Sequence, residues 1–392
     1  MKISILGAGI AGLSCAIALK NSGFDVQLFE RDREPRNIGA GIVCWPNATY
    51  VLDKLDLLQE VEKVSGCPES MDRISHLGEP LGSLDILQIN EIAGYPSYSI
   101  LRKDLMVILL ARVSGLGIDI HFDHRLTGFD HVDNGSVLAR FSNGNKVRSE
   151  ILIGADGRMN SVARKFICGD NAPVYQEFIN WIGVYESTTD LFRHMSVQDY
   201  WGVGERFGIV PVDTRTAYWA GGVAATEIGS RDPDLYKAEL LALFDEWPDP
   251  VPEIIRASHS HSINKIFVHD HNPASTWYRG NVLMIGDAAH APLPTSGQGA
   301  CQALEDAWHL ATMLGQDHSS IEQTFSAFMQ LRVSKTTGII ESGRNLAASL
   351  FNTDEAYCQR RNENSRNTDF GRVASAMAGG WMAGLPVGGR PV

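Results

Sequence analysis

The sequence has few cysteines and no arrangement of them that suggests a metal or redox site. Its 392 residues include six cysteines, and no two form a C-x-x-C pair, which argues against both zinc binding and thiol exchange. It also lacks any run of about 18 uninterrupted apolar residues, which argues against a membrane-spanning helix. We therefore expect a protein of a reducing cytoplasm with no stable membrane insertion and no bound metal.

Basic residues are also scarce. The chain carries 34 Lys and Arg against 46 Asp and Glu, a net charge of −12. Nucleic acids and anionic membranes require a basic footprint, so both are disfavoured as partners, although a local basic pocket remains compatible with this balance. Hydrophobic residues make up 44% of the chain, an ordinary globular composition. A chain of this length favours two packed domains.

The N-terminal stretch MKISILGAGIAGLSCAIALK has the lysine and apolar run of a signal peptide. Its glycines favour a strand, turn and helix instead, because GAGIAG matches G-x-G-x-x-G between an apolar strand at 2–6 and helical spacing at 11–22. Such a turn brings backbone N–H groups against a pyrophosphate. Glu30 ends the next strand, 25–30, where an acid accepts ribose hydroxyls, so FAD or NAD fits better than NADP.

Two further stretches place small residues and an acid after an apolar strand. In ILIGADGRMNSVAR (151–164), Asp156 and Gly157 follow the strand, and the alternative to a functional role is a turn whose acid caps a helix. The strand NVLMI (281–285) leads into GDAAHAPLPTSGQGACQALEDA (286–307), which ends in a helical pattern. Glycines there predict that backbone comes close to something large and flat.

The middle of the chain has a different texture. Stretches between 174 and 268 alternate apolar and polar residues and are rich in aromatic side chains. This pattern predicts an antiparallel sheet with one face packed on a core. Helices are predicted near 297–315 and 320–347, and the Gly-, Ala- and Met-rich tail 371–392 is predicted to be loosely ordered. The predicted domains are a nucleotide-binding domain (1–71, 101–173 and 273–318), a substrate domain (72–100 and 174–272) and a C-terminal helical region (319–392).

In this order and spacing, GAGIAG with Glu30, GADGRMNSVAR and GDAAHAPLPTSGQGACQALEDA resemble the single-component (group A) FAD-dependent monooxygenases, which include salicylate, hydroxybenzoate and urate hydroxylases. The resemblance implies an α/β fold: a Rossmann-type FAD-binding domain, an inserted antiparallel-sheet substrate domain and C-terminal helices. It also implies FAD as cofactor, NADH or NADPH as co-substrate, and a monomer or homodimer. The implied reaction is hydroxylation of an aromatic or N-heteroaromatic small molecule with O2 through a flavin C4a-hydroperoxide.

The resemblance implies a set of FAD contacts that spans the chain. A helix beginning near Gly297 would aim its N–H groups at the pyrimidine edge of the flavin and favour negative charge there. The backbone at Leu126 would approach the adenine. The implied cofactor-binding residues are Gly7, Gly9, Ala11, Gly12, Glu30, Arg31, Arg102, Leu126, Asp156, Gly157, Arg164, Gly286, Asp287, Pro294, Gly297, Gln298, Gly299 and Ala300.

On the substrate side, four stretches are similar to urate hydroxylase-like members of the family: GAGIVCWPNA (39–48), FINWIGVYE, GERFGIVPV and IFVHDHNP (266–273). This similarity implies that Arg206 and Tyr218 line the substrate pocket as catalytic residues; the alternative is that both pack on the surface of a sheet. That subgroup carries an acid two residues before the GQG turn, where this chain has Thr295. Threonine cannot act as a base near neutral pH, so we expect a substrate other than urate.

Two alternatives remain open at this point. Similar FAD scaffolds serve epoxidases or reductases of polyene or isoprenoid substrates, and the apolar tail 371–387 slightly favours such a substrate. A non-enzymatic FAD-fold binding protein is the other. The histidines of HSH (259–261) and HDH (269–271) are interpreted as a polar face rather than metal ligands, and His290 as structural.

Overall fold

The computed structural model describes residues 1–35, 39–132, 135–169, 171–316 and 320–387. The strands are β1 (Lys2–Leu6), β2 (Asp25–Phe29), β3 (Gly41–Cys44), β4 (Ser70–Ser75), β5 (Pro80–Asp85), β6 (Tyr98–Leu101), β7 (Ile120–His121), β8 (Leu126–Val132), β9 (Ser136–Phe141), β10 (Lys146–Ser149), β11 (Ile151–Gly154), β12 (Val174–Glu186), β13 (Ser196–Trp201), β14 (Glu205–Pro211), β15 (Thr216–Ala224), β16 (Asn264–Asp270), β17 (Tyr278–Arg279) and β18 (Val282–Met284).

The helices alternate with these strands in the first third of the chain and dominate the last quarter. They are α1 (Ile10–Asn21), α2 (Pro46–Lys54), α3 (Leu58–Glu62), α4 (Ile86–Ala93), α5 (Arg102–Gly115), α6 (Val162–Cys168), α7 (Tyr236–Phe244), α8 (Val251–Ala257), α9 (Gly299–Leu314), α10 (Ile321–Leu350), α11 (Glu355–Arg366) and α12 (Phe370–Met382). Within the described residues, none of these helices has the length and apolar character that a bilayer crossing requires.

The three glycine- and acid-containing motifs meet at one edge of a parallel sheet. Its strand order is β17-β18-β11-β1-β2-β7, and β18, β11, β1, β2 and β7 run parallel to one another. The loop that follows β1 holds GAGIAG, the loop after β11 holds Asp156, and the loop after β18 holds Asp287. Ligands of such sheets bind outside the carboxyl ends of the strands, so the topology alone assembles one site from distant segments.

A second, larger sheet lies beside the first. The described residues place its strands in the order β16-β12-β15-β14-β13-β4-β5, mostly antiparallel, and it draws on 70–85 as well as 174–270. One face is an aromatic core closed by α7 and α8, in which Phe207 and Trp219 stack with ring centroids 5.5 Å apart and Phe244 meets Phe207 edge-on. The opposite face turns towards the N-terminus of α9 and towards α10.

The fold class expected from the resemblance is confirmed: a parallel sheet with both faces packed against other elements, an antiparallel sheet and C-terminal helices. The domain boundaries stay a prediction, and the one at 318/319 lies outside the described residues.

The prediction of a loosely ordered tail is wrong for the described part of it. Helix α12 begins after Asp369, whose carboxylate accepts a hydrogen bond from the Arg372 amide, and it buries Ala374, Ala378 and Trp381. Alanines four residues apart present a smooth stripe that lets the helix lie close to its neighbours. The Gly- and Ala-rich composition therefore reflects close packing rather than disorder.

Buried charges join the last helices to the parallel-sheet domain. The Arg332 guanidinium of α10 donates to Glu305 at 2.5 Å and to Asp306 at 2.8 Å, both on α9, and all three side chains are essentially inaccessible. Asp306 also accepts from the Gly286 amide at 2.8 Å and contacts His290 Nε2 at 2.7 Å. We call these residues the Arg332 network. His290 therefore has a structural role, as expected.

We predict that His309 makes the protein less stable in mild acid. It is buried beside the network, and desolvation together with the Arg332 charge lowers its pKa to about 3. The unfolded chain takes up that proton near pH 6.5 and the folded chain does not, so stability falls as the pH drops below 6.5, by about 1.4 kcal/mol per pH unit. His309→Gln should lose about 2 kcal/mol less than the wild type between pH 7 and pH 5.

Urea unfolding at the two pH values measures this difference. The matched control is His259→Gln, which removes an exposed histidine and should keep the wild-type pH dependence. Equal losses of unfolding free energy in the wild type and His309→Gln would show that His309 is not held neutral by its surroundings.

Candidate active site at the carboxyl edge of the parallel sheet

The glycines of GAGIAG have separate physical roles. Gly7 has φ of +100°, and a Cβ on it would lie 2.3 Å from the Ala155 carbonyl oxygen; a Cβ on Gly12 would lie 1.8 Å from the Gly7 carbonyl oxygen. These two glycines are required by the protein's own packing. A Cβ on Gly9 would have no atom of the described structure within 4 Å, so the space above Gly9 is open to a ligand.

The helices that begin at this edge start without capping side chains. Among the described residues, no side chain accepts a hydrogen bond from the first turn of α1 or of α9. The helices α4, α6, α10, α11 and α12 are capped by an Asp or Ser side chain. Within the described residues, α2, α3, α5, α7 and α8 also start without a side-chain cap, so what distinguishes α1 and α9 is their place at this edge of the sheet. Free N–H groups at a helix start, together with the helix dipole, bind phosphate and other negative groups. The two open starts therefore suit the diphosphate and the flavin of one FAD.

Glu30 directly follows β2, beside the glycine turn. Its carboxylate accepts hydrogen bonds from the Ala8 amide at 2.7 Å and the Asp32 amide at 3.0 Å, which uses part of its acceptor capacity and leaves lone pairs for ribose hydroxyls. Arg31 lies 3.9 Å from the Asp32 carboxylate. Leu126, at the start of β8, packs its side chain in a small cluster with Phe29, so only its backbone is available to an adenine.

Arg102 and Asp287 come from distant segments and lie close together. Arg102 begins α5; burial lowers its guanidinium pKa, and the nearby Asp287 carboxylate acts in the opposite direction. Gly286, directly before Asp287, has φ of +58°, and a Cβ there would lie 2.6 Å from Ala11 Cβ. The loop after β18 is thus in contact with the start of α1. It brings the Asp287 carboxylate near the positively charged Arg102.

Asp156 and Arg164 act mainly within the protein. The Asp156 carboxylate accepts from the Ser161 hydroxyl at 2.5 Å and the Val162 amide at 2.7 Å, so it caps α6; burial nevertheless raises its pKa. Gly157 has φ of +80°. Arg164 is 2% exposed and donates to the Ala288 and Ala289 carbonyl oxygens, each at 2.8 Å. It therefore supports the Asp287 loop, and its direct contact with the cofactor stays a prediction.

The turn before α9 offers a flat, closely approached surface. Gly297 has φ of +63°, and a Cβ there would lie 3.0 Å from Trp45 Nε1. Gln298 is buried, and its Oε1 accepts from Asn47 Nδ2 and Gln302 Nε2, both at 2.9 Å. Gln298 Nε2 and Trp45 Nε1 have no partner in the part of the chain that the structure describes. Pro294 is exposed, and Gly299 and Ala300 open α9.

Arg206 and Tyr218 lie on the face of the antiparallel sheet that is directed towards the turn before α9. Val210 pairs with Tyr218 in register, and Arg206 is four residues earlier on β14, so both side chains share one face. The Tyr218 ring fills the space above Gly41, where a Cβ would lie 1.9 Å from it. Burial, with Cys44 and Cys301 nearby, raises the Tyr218 pKa, so its hydroxyl stays protonated. Arg206 Nε donates to Asp199 at 2.6 Å.

Thr295 forms a contact that an acid could not make. Its hydroxyl donates to the Gly343 carbonyl oxygen of α10 at 3.0 Å; an ionised carboxylate has no proton to donate. The histidines interpreted as a polar face are dispersed: His269 contacts the Phe267 carbonyl oxygen and His271 the Arg158 carbonyl oxygen. No cluster of three or more potential metal ligands occurs among the described residues.

Sequence reasoning missed the residues that support the site from behind. Asn47 links Gln298 to Glu305, and Asp199 holds Arg206. Asn47 lies in GAGIVCWPNA, a stretch already similar to the urate hydroxylase subgroup, so its position could have been noted. Asp199 and Arg332 stand in segments with no motif, and only the folded structure reveals their partners.

We predict that Gly9→Ala blocks the cofactor without harming the fold. Gly9 has φ of −83° and ψ of −173°, which alanine adopts freely, and its Cβ meets only open space. The apoprotein should keep its unfolding free energy to within about 0.5 kcal/mol, while the methyl group holds the pyrophosphate away and FAD binds at least about tenfold more weakly. Fluorescence titration of apoprotein with FAD measures the affinity.

The control is Gly338→Ala, a helical glycine of α10 whose Cβ also has no neighbour within 4 Å. It should bind FAD like the wild type. Unchanged FAD affinity in Gly9→Ala would place the diphosphate elsewhere.

Comparison with known proteins agrees with this geometry. Residues 1–319 match the family model described as an FAD binding domain. An FAD-dependent urate hydroxylase of Mycolicibacterium vanbaalenii is 28% identical over 390 residues, 98% of this chain and 97% of that protein. One of Klebsiella pneumoniae is 31% identical over 319 residues, 81% of this chain and 82% of that protein.

Among solved structures, Klebsiella pneumoniae HpxO complexed with FAD and uric acid superposes with a TM-score of 0.90 at 27% identity, covering 98% of this chain and 97% of that chain. The matched region contains the glycine turn, Asp287 and the start of α9. The expected cofactor, FAD, is confirmed, and this chain belongs to the family of FAD-dependent monooxygenases.

Proposed function

We propose that the protein hydroxylates an aromatic or N-heteroaromatic small molecule with O2 and electrons from NADH or NADPH. The family membership supports the monooxygenase chemistry, and the two urate hydroxylases and the uric acid complex of HpxO support a heteroaromatic substrate. The supporting observation within this chain is that Arg206 and Tyr218 lie on one face of the antiparallel sheet, with Tyr218 near Cys301 in the uncapped first turn of α9.

The site residues have distinct parts in this proposal. Bound FAD supplies the redox and oxygen chemistry. The first turn of α9 presents free N–H groups to negative charge. Tyr218, held protonated by burial, donates a hydrogen bond to a substrate oxygen or nitrogen. Arg206, fixed by Asp199 at 2.6 Å, holds a negatively polarised edge of the ring and orients it.

Thr295 supports a substrate other than urate. Its hydroxyl donates its proton to the Gly343 carbonyl oxygen, so this position supplies neither a base nor a hydrogen-bond donor to the ring. A substrate that carries its own activating hydroxyl or amino group needs no carboxylate there. We therefore place an electron-rich ring, already activated by its substituents, in this pocket.

The alternative, an epoxidase or reductase of polyene or isoprenoid substrates, loses the observation that favoured it. The apolar tail was the argument for a long apolar substrate. In the structure, the described tail uses Ala374, Ala378 and Trp381 to pack against the protein's own core. That surface is occupied by the chain itself and is not offered to a ligand.

We predict that the purified protein is yellow and that one substrate class raises its NAD(P)H oxidation many-fold. Stopped-flow flavin reduction, with NADH and NADPH tested separately against aromatic acids, purines, quinolones and polyenes, measures this stimulation. The substrate should be recovered with one added oxygen atom from O2. A polyene that is epoxidised while all aromatic compounds fail would favour the alternative.

We predict that Arg206→Gln lowers kcat/KM by about a hundredfold or more, because a lost charged hydrogen bond in a buried site costs about 3 kcal/mol. FAD content should be unchanged, since Arg206 lies on the substrate side. Tyr218→Phe should show a smaller loss of the same kind. The control, Arg215→Gln, removes an exposed arginine at the end of the same sheet and should keep wild-type kinetics. Wild-type kcat/KM in Arg206→Gln would remove Arg206 from the substrate site.

A further inference from the structure

A second cavity lies on the same sheet face but outside the FAD cradle. It has a volume of about 380 Å³ and is enclosed by β4, the end of β13, the end of α10 and helix α11. Three arginines line it: Arg73 from β4, and Arg360 and Arg361 from α11. Its other lining side chains are neutral, including the hydroxyls of Ser365 and Thr368.

The positive charges of this cavity are not neutralised by the protein. Arg361 donates to the Ser349 carbonyl oxygen at 3.0 Å and the Gly202 carbonyl oxygen at 2.9 Å, and Arg73 donates to the Ser365 hydroxyl at 3.3 Å. These acceptors carry no charge. Within the described ranges, none of the three arginines has a carboxylate within ion-pair distance, although exposed arginines of the chain commonly have one.

The nearest acid is already committed elsewhere. Asp199 accepts from Arg206 Nε at 2.6 Å and from Trp201 Nε1 at 2.8 Å, so its two oxygens serve a different arginine and the indole. Burial lowers the pKa of both Arg73 and Arg361, which means that holding them charged is unfavourable without a counter-ion. Glu363 lies one turn from Arg360 on α11, and both residues line a neighbouring surface cavity, so Arg360 borders two cavities.

The arginines are also held in place for recognition. The guanidinium carbons of Arg73 and Arg361 lie 5.0 and 5.2 Å from the centroid of the Trp201 ring. The N–H groups of Arg361 are already bound to the Ser349, Leu350 and Gly202 carbonyl oxygens and to Asn362 Oδ1, so Arg361 contributes only its charge. Stacking fixes the plane of the Arg73 guanidinium, and its fork together with that of the exposed Arg360 matches the oxygens of a carboxylate or phosphate. Because the other side chains that line the cavity are neutral, a bound oxyanion would balance the positive charge of the arginines.

We propose that this cavity is a binding site for the oxyanion group of a small molecule, a carboxylate or a phosphate. In a chain with a net charge of −12, such a concentration of unpaired positive charge is a local exception, and it attracts anionic ligands that the rest of the surface repels. Asp199 accepts hydrogen bonds from Trp201, which lines the cavity, and from Arg206, so the cavity borders the proposed substrate pocket. None of its lining residues is one of the FAD-binding residues.

Isothermal titration of the FAD-loaded protein with sodium benzoate and with inorganic pyrophosphate tests the proposal, at constant ionic strength. FAD stays bound, so its own phosphate cradle does not compete for the probe. At least one probe should bind, and Arg73→Gln and Arg360→Gln should each weaken it about tenfold. Arg360 is exposed, so its variant folds even if Arg73→Gln does not.

The matched control is Arg148→Gln, which removes one exposed positive charge from β10 and should bind both probes like the wild type. A loss confined to benzoate assigns the site to a carboxylate, and a loss confined to pyrophosphate assigns it to a phosphate. The proposal is overturned if neither probe binds, or if both arginine variants bind as tightly as the wild type. Because benzoate also suits the proposed aromatic substrate pocket, Arg206→Gln is titrated alongside and should bind both probes like the wild type. A loss of binding in Arg206→Gln alone would place the probe in the substrate pocket and overturn the assignment to this cavity.

Discussion

The fully buried guanidinium of Arg332 is the interaction on which the site most depends. It neutralises Glu305 and Asp306 on adjacent positions of α9, and Asp306 in turn holds the Gly286 amide. Burial alone would raise the pKa of Asp306. His290 and Arg332 lower this pKa by more than burial raises it, so the carboxylate stays ionised. Removing one partner of such a cluster leaves an uncompensated buried charge. The start of α9 and the Asp287 loop are therefore held by one set of charges.

The parallel sheet and the antiparallel sheet contribute to the site in different ways. The first supplies loops at its carboxyl edge, where backbone N–H groups and small residues approach a cofactor. The second supplies side chains from a rigid surface, whose far face is locked by the aromatic packing of Phe207, Trp219 and Phe244. Placing substrate residues on strands rather than loops fixes their direction. Asp199 adds to this by holding Arg206 on the near face.

The elements that could be predicted are those with a local cause. The glycine turn follows from a strand, a tight turn and a helix within twenty residues, and the structure has that unit at β1 and α1. Arg332 could not be predicted, because its acids lie on another helix and nothing in MQLRVSK (329–335) distinguishes it from a surface arginine. The order of α12 was missed because alanine and glycine serve close packing and flexible segments alike. Asp156 shows the converse, since the local alternative, a helix cap, is the contact that forms.

Lys335 extends the Arg332 network to the other end of the chain. Its ammonium contacts Glu305 at 2.8 Å and donates to the Trp381 and Ala383 carbonyl oxygens at 2.6 and 2.9 Å. The glycine turn at residues 7–12 leaves the ribosome first, whereas the side chains that fix the opposite wall of the cradle follow more than 300 residues later. The nascent protein therefore displays half of its FAD site long before it can close the other half. We therefore expect the cofactor to be held fully only after α10 and α12 have docked.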